Sequence, residues 1–358
     1  MDKTTKNCKN IVWICPGFAA DEEDSQCIPP LQLLAKAMGE RESIHLQIIS
    51  LHYPQRSTPY KWHGITVLPC YVSGTLSRWR IWWKAIQQIR LLAKQKKLDG
   101  LHSFWLTDAA LIAHWASRMI GCPHWVTLAG QDARSSNRYL RLLPTKKMYT
   151  IAVSPFHAEV WKQSTGQSVR QMIPWGIAPS LNPQSALKRP IDFIGVGSLI
   201  PLKSYTLFVE LISVLKKEYP NIKAVLIGDG PARAQLEAKI QTLGLESNLY
   251  LIGAISRIEV LTYMEHSKVL FHPSTYESFG FVLVEAMACG LHLVSRPVGI
   301  AQAEEGWWVG TTSAELLQGM REALETFEQA KPRFPYLLSD TFAAYLRLYQ
   351  DELFSINS

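Results

Sequence analysis

Strand-length apolar runs alternate with helix-length segments along this chain, and the alternation runs through twice. The first series has strand-like runs at Ile11–Cys15, Ile44–Ile49, Ile65–Tyr71, Gly100–Phe104, His124–Leu128, Tyr149–Val153 and Val169–Ile173. Helical segments lie between them: Leu31–Met38, Arg78–Lys96, and a stretch ending at Met119 for which Asp108 is the expected cap. The second series has strands at Ile191–Val196, Ile222–Ile227, Leu249–Ile252, Val269–His272 and Leu291–Ser295. Its helix over Ser204–Glu218 places Leu207, Phe208, Leu211, Ile212 and Leu215 on one face, and Pro220 stops it. Strands joined by helices of this length form parallel sheets with helices on both faces. The expectation is an α/β chain of two doubly wound, Rossmann-like domains facing a cleft, with ligands at the carboxyl ends of the strands. The expected domains are residues 1–178 and 179–335, joined by a linker within Pro174–Pro190. A final helix in 336–358 is expected to cross back onto the first domain.

Charge separates the halves. Up to Ala178 there are 22 Lys and Arg against 11 Asp and Glu; beyond it there are 15 against 19, within an overall charge of +7. The basic half points to an acidic partner such as a membrane surface or a phosphorylated acceptor. No apolar run approaches the roughly 18 residues of a spanning helix, and Ile11–Cys15 is too short for a signal peptide. Six scattered cysteines without metal-ligand spacing read as reduced core thiols of a cytoplasmic protein. Gly195-Val-Gly197 fails as a dinucleotide fingerprint, because Ile200 stands where the third Gly is needed.

The segment with most chemistry is His272-Pro-Ser-Thr-Tyr-Glu277-Ser-Phe-Gly-Phe-Val-Leu-Val-Glu285. A strand ends at His272, a polar loop carries Glu277, and a helix starts near Phe281. Amides at Ser278, Phe279, Gly280 and Phe281 suit a phosphate. Glu285, one turn in, suits a ribose diol. This segment resembles the Glu-(seven residues)-Glu signature of the family-4 retaining glycosyltransferases. Ile173-Pro-Trp-Gly-Ile177, Gly195-Val-Gly-Ser-Leu-Ile-Pro-Leu-Lys203 and Ile227-Gly-Asp-Gly-Pro231 resemble other motifs of that family, in order and at its spacing, over roughly residues 150–295.

The resemblance implies a GT-B fold and transfer of a sugar from a UDP- or GDP-sugar to a glycan or lipid-linked acceptor, with retained anomeric configuration. No metal, cofactor or nucleic acid is implied. Glu277, Lys203 and Asp132 are the implied catalytic residues. Glu285, Ser278, Phe279, Gly280, Phe281, Ser198 and Gly17 are the implied donor contacts. Two positions depart from the pattern: Ser198 replaces a usual Arg, and Ala129 replaces a usual His. These leave a non-catalytic homologue, or a nucleotide-sugar epimerase, as rival readings. His102, at a strand end, is a further candidate for lining the cleft, and Asp21–Asp24 for capping the next helix. The basic segment Arg78–Lys97 holds seven Lys and Arg and no acid, with Trp79, Trp82, Trp83 and Ile86 on one helical face. It suits peripheral contact with the anionic inner face of a membrane.

Overall fold

A computed structural model describes residues 8–74, 77–178 and 188–350. Met1–Lys6, most of the expected linker and the end of the expected final helix lie outside those residues. The chain forms two compact units. The first runs to Gly176 and resumes at Leu338; the second is Ile177–Leu337.

The first unit is built on eight strands: β1 (Lys9–Gly17), β2 (Ile44–Tyr53), β3 (Tyr60–Trp62), β4 (Ile65–Pro69), β5 (Gly100–Phe104), β6 (His124–Thr127), β7 (Tyr149–Ala152) and β8 (Gln171–Met172). Their order is β3-β4-β2-β1-β5-β6-β7-β8. The short β3 is antiparallel to β4, while β1 is parallel to both its neighbours. Helices α1 (Pro29–Gly39), α2 (Ser77–Gln95), α3 (Asp108–Ile120) and α4 (Pro155–Thr165) connect them. The chain winds outward from β1 to β4 and then returns to place β5 on the other side of β1. That reversal is the topological switch point, where an open α/β sheet has its crevice.

Burial explains the elements. β1 reads Lys-Asn-Ile-Val-Trp-Ile-Cys-Pro-Gly, and Ile11 to Cys15 are all fully buried, as a central strand covered on both faces requires. Helix α2 buries Ile81, Trp82, Ala85, Ile89 and Leu92, one stripe at helical spacing. Thr107, not Asp108, caps α3, its hydroxyl accepting from the Ala109 amide. Asp108 is instead buried and accepts from His52 Nε2 (2.9 Å) and Trp82 Nε1 (3.3 Å).

The second unit has six strands: β9 (Ile191–Val196), β10 (Ala224–Ile227), β11 (Leu249–Gly253), β12 (Ser267–His272), β13 (His292–Ser295) and β14 (Trp307–Val309). Their order is β11-β10-β9-β12-β13-β14, and every pairing is parallel. The helices are α5 (Tyr205–Glu218), α6 (Arg233–Thr242), α7 (Arg257–Glu265), α8 (Phe281–Ala288) and α9 (Ser313–Glu325). The same outward-then-return winding puts this switch point between β9 and β12.

Helix α10 (Leu338–Gln350) belongs to the first unit. It buries Thr341, Phe342, Tyr345, Leu348 and Tyr349, while Leu346 is only half-buried. Tyr349 Oη accepts from Trp13 Nε1 (3.0 Å) and lies 2.7 Å from His102 Nδ1. His102 Nε2 meets Thr127 Oγ1 at 2.8 Å, and that hydroxyl meets Tyr345 Oη at 2.9 Å. His102 is thus a core histidine and lines no crevice. Burial first, then nearby His124, push its pKa well below the ordinary value. A satisfied polar network of this kind fixes the register of a docked helix.

Candidate functional site

The switch point of the second unit brings together residues far apart in sequence. Gly197, which follows β9, has a φ of 147°. Gly228 follows β10, and an added Cβ there would fall 2.0 Å from the Gly197 carbonyl oxygen. Only glycine permits that approach, which draws the loops after β9 and β10 into one wall. The first of these continues through a tight turn at Pro201–Lys203. The loop after β12 is tied to that turn: the Thr275 amide donates to the Leu202 carbonyl at 2.9 Å, and Ser274 Oγ donates to it at 3.3 Å. Lys203 and Glu277 consequently form an ion pair.

Glu277 Oε1 also lies 2.9 Å from Nε2 of His272, the last residue of β12. Burial alone raises a carboxyl pKa. Here His272 and Lys203 outweigh it and hold Glu277 down to about 2. Two buried polar atoms around this group, His272 Nδ1 and Tyr205 Oη, have no hydrogen-bond partner among the described residues. An added Cβ at Gly197 would meet Tyr205 Oη at 3.0 Å, so that hydroxyl sits against the same loop. Unfilled capacity of this kind is uncommon among buried polar groups.

Gly280, with φ 85°, turns the chain into α8. The Gly280 and Phe281 amides make no hydrogen bond within the described residues, as expected at the start of a helix. Ser278 and Phe281 are half-buried, whereas the Phe279 ring is buried and packs edge-on to Tyr336. The Phe279 side chain is therefore core, and only its backbone lies in the loop. Glu285 accepts from Arg257 Nε at 2.7 Å, so part of its carboxylate is engaged. Burial pushes Glu285 up, and Arg257 partly offsets this. Ser198 is exposed, with its carbonyl accepting from the Ile200 amide.

Two expected site residues belong to the first unit. Gly17 closes β1 with its Cα facing Tyr53: an added Cβ would lie 3.2 Å from the Tyr53 Cβ. Asp132 is buried and accepts from the amides of Leu106 (2.7 Å), Gly130 (2.8 Å) and Ala129 (3.4 Å). Its oxygens hold these loops together, and Oδ1 also lies 3.7 Å from His157 Nε2. Asp21 and Asp24 likewise close their own turn: Asp21 accepts from Glu23 and Asp24 amides, and Asp24 from the Ala20 amide and Tyr53 Oη. They do not cap α1, whose N-cap is Ile28 without a side-chain bond.

His272, Tyr205 and Arg257 were not singled out from sequence. A signal existed for Arg257: Ser256-x-x-Glu259 is a capping box, which makes Arg257 the first residue of a helix at a strand's carboxyl end. For Tyr205, nothing in the sequence distinguishes it from a core aromatic.

A cavity of about 1130 Å³ lies elsewhere in this unit, beside edge strand β14, lined by residues such as His292, Glu304, Trp308 and Arg333. In it Arg333 pairs with Glu304 and Trp308 with Glu322.

Residues 180–331 match the family model described as glycosyl transferases group 1. The match takes in the whole of the Lys203, Glu277 and Glu285 region. Among relatives of known name, the chain is similar to the phosphatidylinositol N-acetylglucosaminyltransferase gpi3 subunit of Schizosaccharomyces pombe. The two are 30% identical over 118 residues, 33% of this chain and 26% of that protein. A 2-deoxystreptamine N-acetyl-D-glucosaminyltransferase of Niallia circulans is 29% identical over 112 residues, 31% of this chain and 28% of that protein. The chain thus spans only about a quarter of the length of these relatives. Among solved structures, Anabaena HepE in complex with UDP superposes with a TM-score of 0.68 at 20% identity, covering 96% of both chains. Sucrose-phosphate synthase from Thermosynechococcus elongatus gives 0.69 at 15% identity, covering 96% of this chain and 98% of that one. With its two doubly wound parallel sheets, the chain has the GT-B fold.

Proposed function

We propose that this protein is a glycosyltransferase that takes its sugar from a UDP-sugar, N-acetylglucosamine being the first to test, and transfers it with retained configuration. The observation that carries this reading is the Lys203–Glu277–His272 cluster beside the open start of α8, at the switch point of a group 1 domain. UDP in HepE and N-acetylglucosaminyl transfer in the named relatives support the donor. Glu285 takes the ribose hydroxyls and the α8 amides the diphosphate. Lys203, released in part from Glu277, neutralises charge as the diphosphate leaves. The acceptor, a glycan or lipid-linked group, is taken by the first unit.

Saturating UDP is expected to raise the melting temperature. At about a 100-fold excess over Kd the gain is about 2.7 kcal/mol, several degrees for a domain of this size. Glu285→Ala should abolish the shift. A shift that survives in Glu285→Ala would move the ribose elsewhere, and none with UDP or GDP in the wild type would end the transferase reading. Proton NMR of the glycosidic product, through its anomeric coupling, tests retention.

We also propose that α2 touches an anionic membrane. Trp79 and Trp83 are 65% and 66% exposed, beside Arg80 and Lys84, whereas Trp82, expected on the same face, is only 8% exposed and bonded to Asp108. No helix among the described residues is long and apolar enough to cross a membrane. Each basic residue near such a surface contributes about 1 kcal/mol, screened by salt. Vesicles containing phosphatidylglycerol should sediment the protein at low salt, and Trp79→Ala with Trp83→Ala should reduce that several-fold. Equal sedimentation with neutral phosphatidylcholine vesicles would count against the contact.

A further inference from the structure

The switch point of the first unit is framed by the ends of β1 and β5, and the residue that follows β5 is Trp105. Its φ is 69°, the left-handed region that a bulky side chain rarely enters. The surrounding structure holds it there from several directions. The Trp105 amide donates to the Thr127 carbonyl at 2.8 Å. The next residue, Leu106, donates its amide to Asp132 at 2.7 Å and accepts at its carbonyl from Asn137 Nδ2 at 2.8 Å. Asn137 Nδ2 also donates to the Asp132 carbonyl, at 2.7 Å. Gly130 leaves room for the ring: an added Cβ would fall 2.7 Å from Trp105 Nε1. The ring of Trp175 stands at an angle of 61° to it, centroids 6.2 Å apart. Backbone strain held by this many bonds is characteristic of a functional position.

Trp13, Trp62, Trp82, Trp307 and Trp308 bond their N–H within the protein, whereas the buried Trp161 Nε1 has no partner among the described residues. Trp105 is half-buried, and its N–H, too, makes no hydrogen bond among the described residues. A half-buried aromatic ring with an unbonded donor at its edge, held at the carboxyl end of β5 beside the switch point, suits a flat ring that offers C–H groups on its face and hydroxyls at its rim.

We propose that Trp105 is the platform on which the acceptor rests, and that the acceptor presents there a six-membered polyol ring, a pyranose or a cyclitol. This deepens the transferase reading and rests on it for the word acceptor. Asp132, Asn137 and Gly130 are positioning residues for the platform.

The test uses the full chain labelled with 5-fluorotryptophan. The Trp105 fluorine resonance is assigned by its loss in Trp105→Phe. Methyl α-D-glucopyranoside and myo-inositol are then titrated separately to ~100 mM, with glycerol as the acyclic control. The expected result is a saturable shift of the Trp105 resonance with one ring and none with glycerol; the active ring tells pyranose from cyclitol. Trp105→Ala, and independently Gly130→Ala, should weaken that ring at least about tenfold, with UDP binding measured on the same samples unchanged. Protein that binds UDP yet shows no Trp105 response to either ring overturns the platform, as does ring binding that survives both variants. Protein that responds to a ring but binds no nucleotide keeps the platform and removes the transferase reading.

Discussion

Glu277→Gln is expected to lower sugar transfer by about 10²–10³-fold while the folded protein still binds UDP. The carboxylate holds two partners with one oxygen, Lys203 and His272 Nε2. An amide keeps the shape and removes the charge, so the ammonium loses its fixed position just where the leaving diphosphate needs it. A fall of less than about tenfold in turnover would refute that role. The variant also carries a pH signature. Glu277 is held at about 2 against an ordinary 4.5, so the folded state binds its proton less well than the unfolded one. Its contribution to stability is fully present above pH 4.5 and is lost as the pH falls toward 2. The stability gap between wild type and Glu277→Gln should therefore be flat above pH 4.5 and close below it, in urea unfolding at stepped pH.

Asp132→Ala is the second large effect, and it should appear first as lost stability. The amides of Leu106, Gly130 and Ala129 lose this acceptor, two of the bonds being 2.8 Å or less, and Leu106 and Asp132 are buried. Unsatisfied buried donors cost about 1–3 kcal/mol each, and partial relaxation leaves roughly 3 kcal/mol in total. For a unit of this size that lowers the melting temperature by roughly 6–12 °C. A variant with wild-type melting and abolished transfer would return Asp132 to the reacting group.

Much of this was legible in the residues. The twofold alternation of strand and helix gave two parallel sheets because continuous apolar runs such as Ile11–Cys15 and Ile191–Val196 fit only strands covered on both faces. Lys203, Glu277 and Glu285 were readable as a group because the motifs that carry them sit at the ends of β9 and β12 and at the start of α8. The partners were not readable. His272, Arg257 and Tyr205 reach the cluster through loop geometry, 5, 28 and 72 positions from the glutamates they serve or face. The bonds of Asp132 were unreadable for a related reason: a carboxylate after a strand looks the same in sequence whether or not it ties down three amides. Trp82 misled because one helical face can be half core and half surface, and period alone does not say where the boundary falls.

The docking of α10 has a consequence for the order in which the molecule is made. Tyr345 and Tyr349, which complete the hydrogen-bonded centre of the first sheet around His102 and Trp13, are encoded downstream of the whole of Ile177–Leu337. On the ribosome, the sheet that emerges first must wait for the other unit to be synthesised before its own interior closes. During that interval Trp13, His102 and Thr127 lack their final partners. The second unit, whose strands and helices are contiguous in sequence, can finish independently. The half translated earliest is thus the last to mature, and it is the half exposed longest to chaperones and proteases.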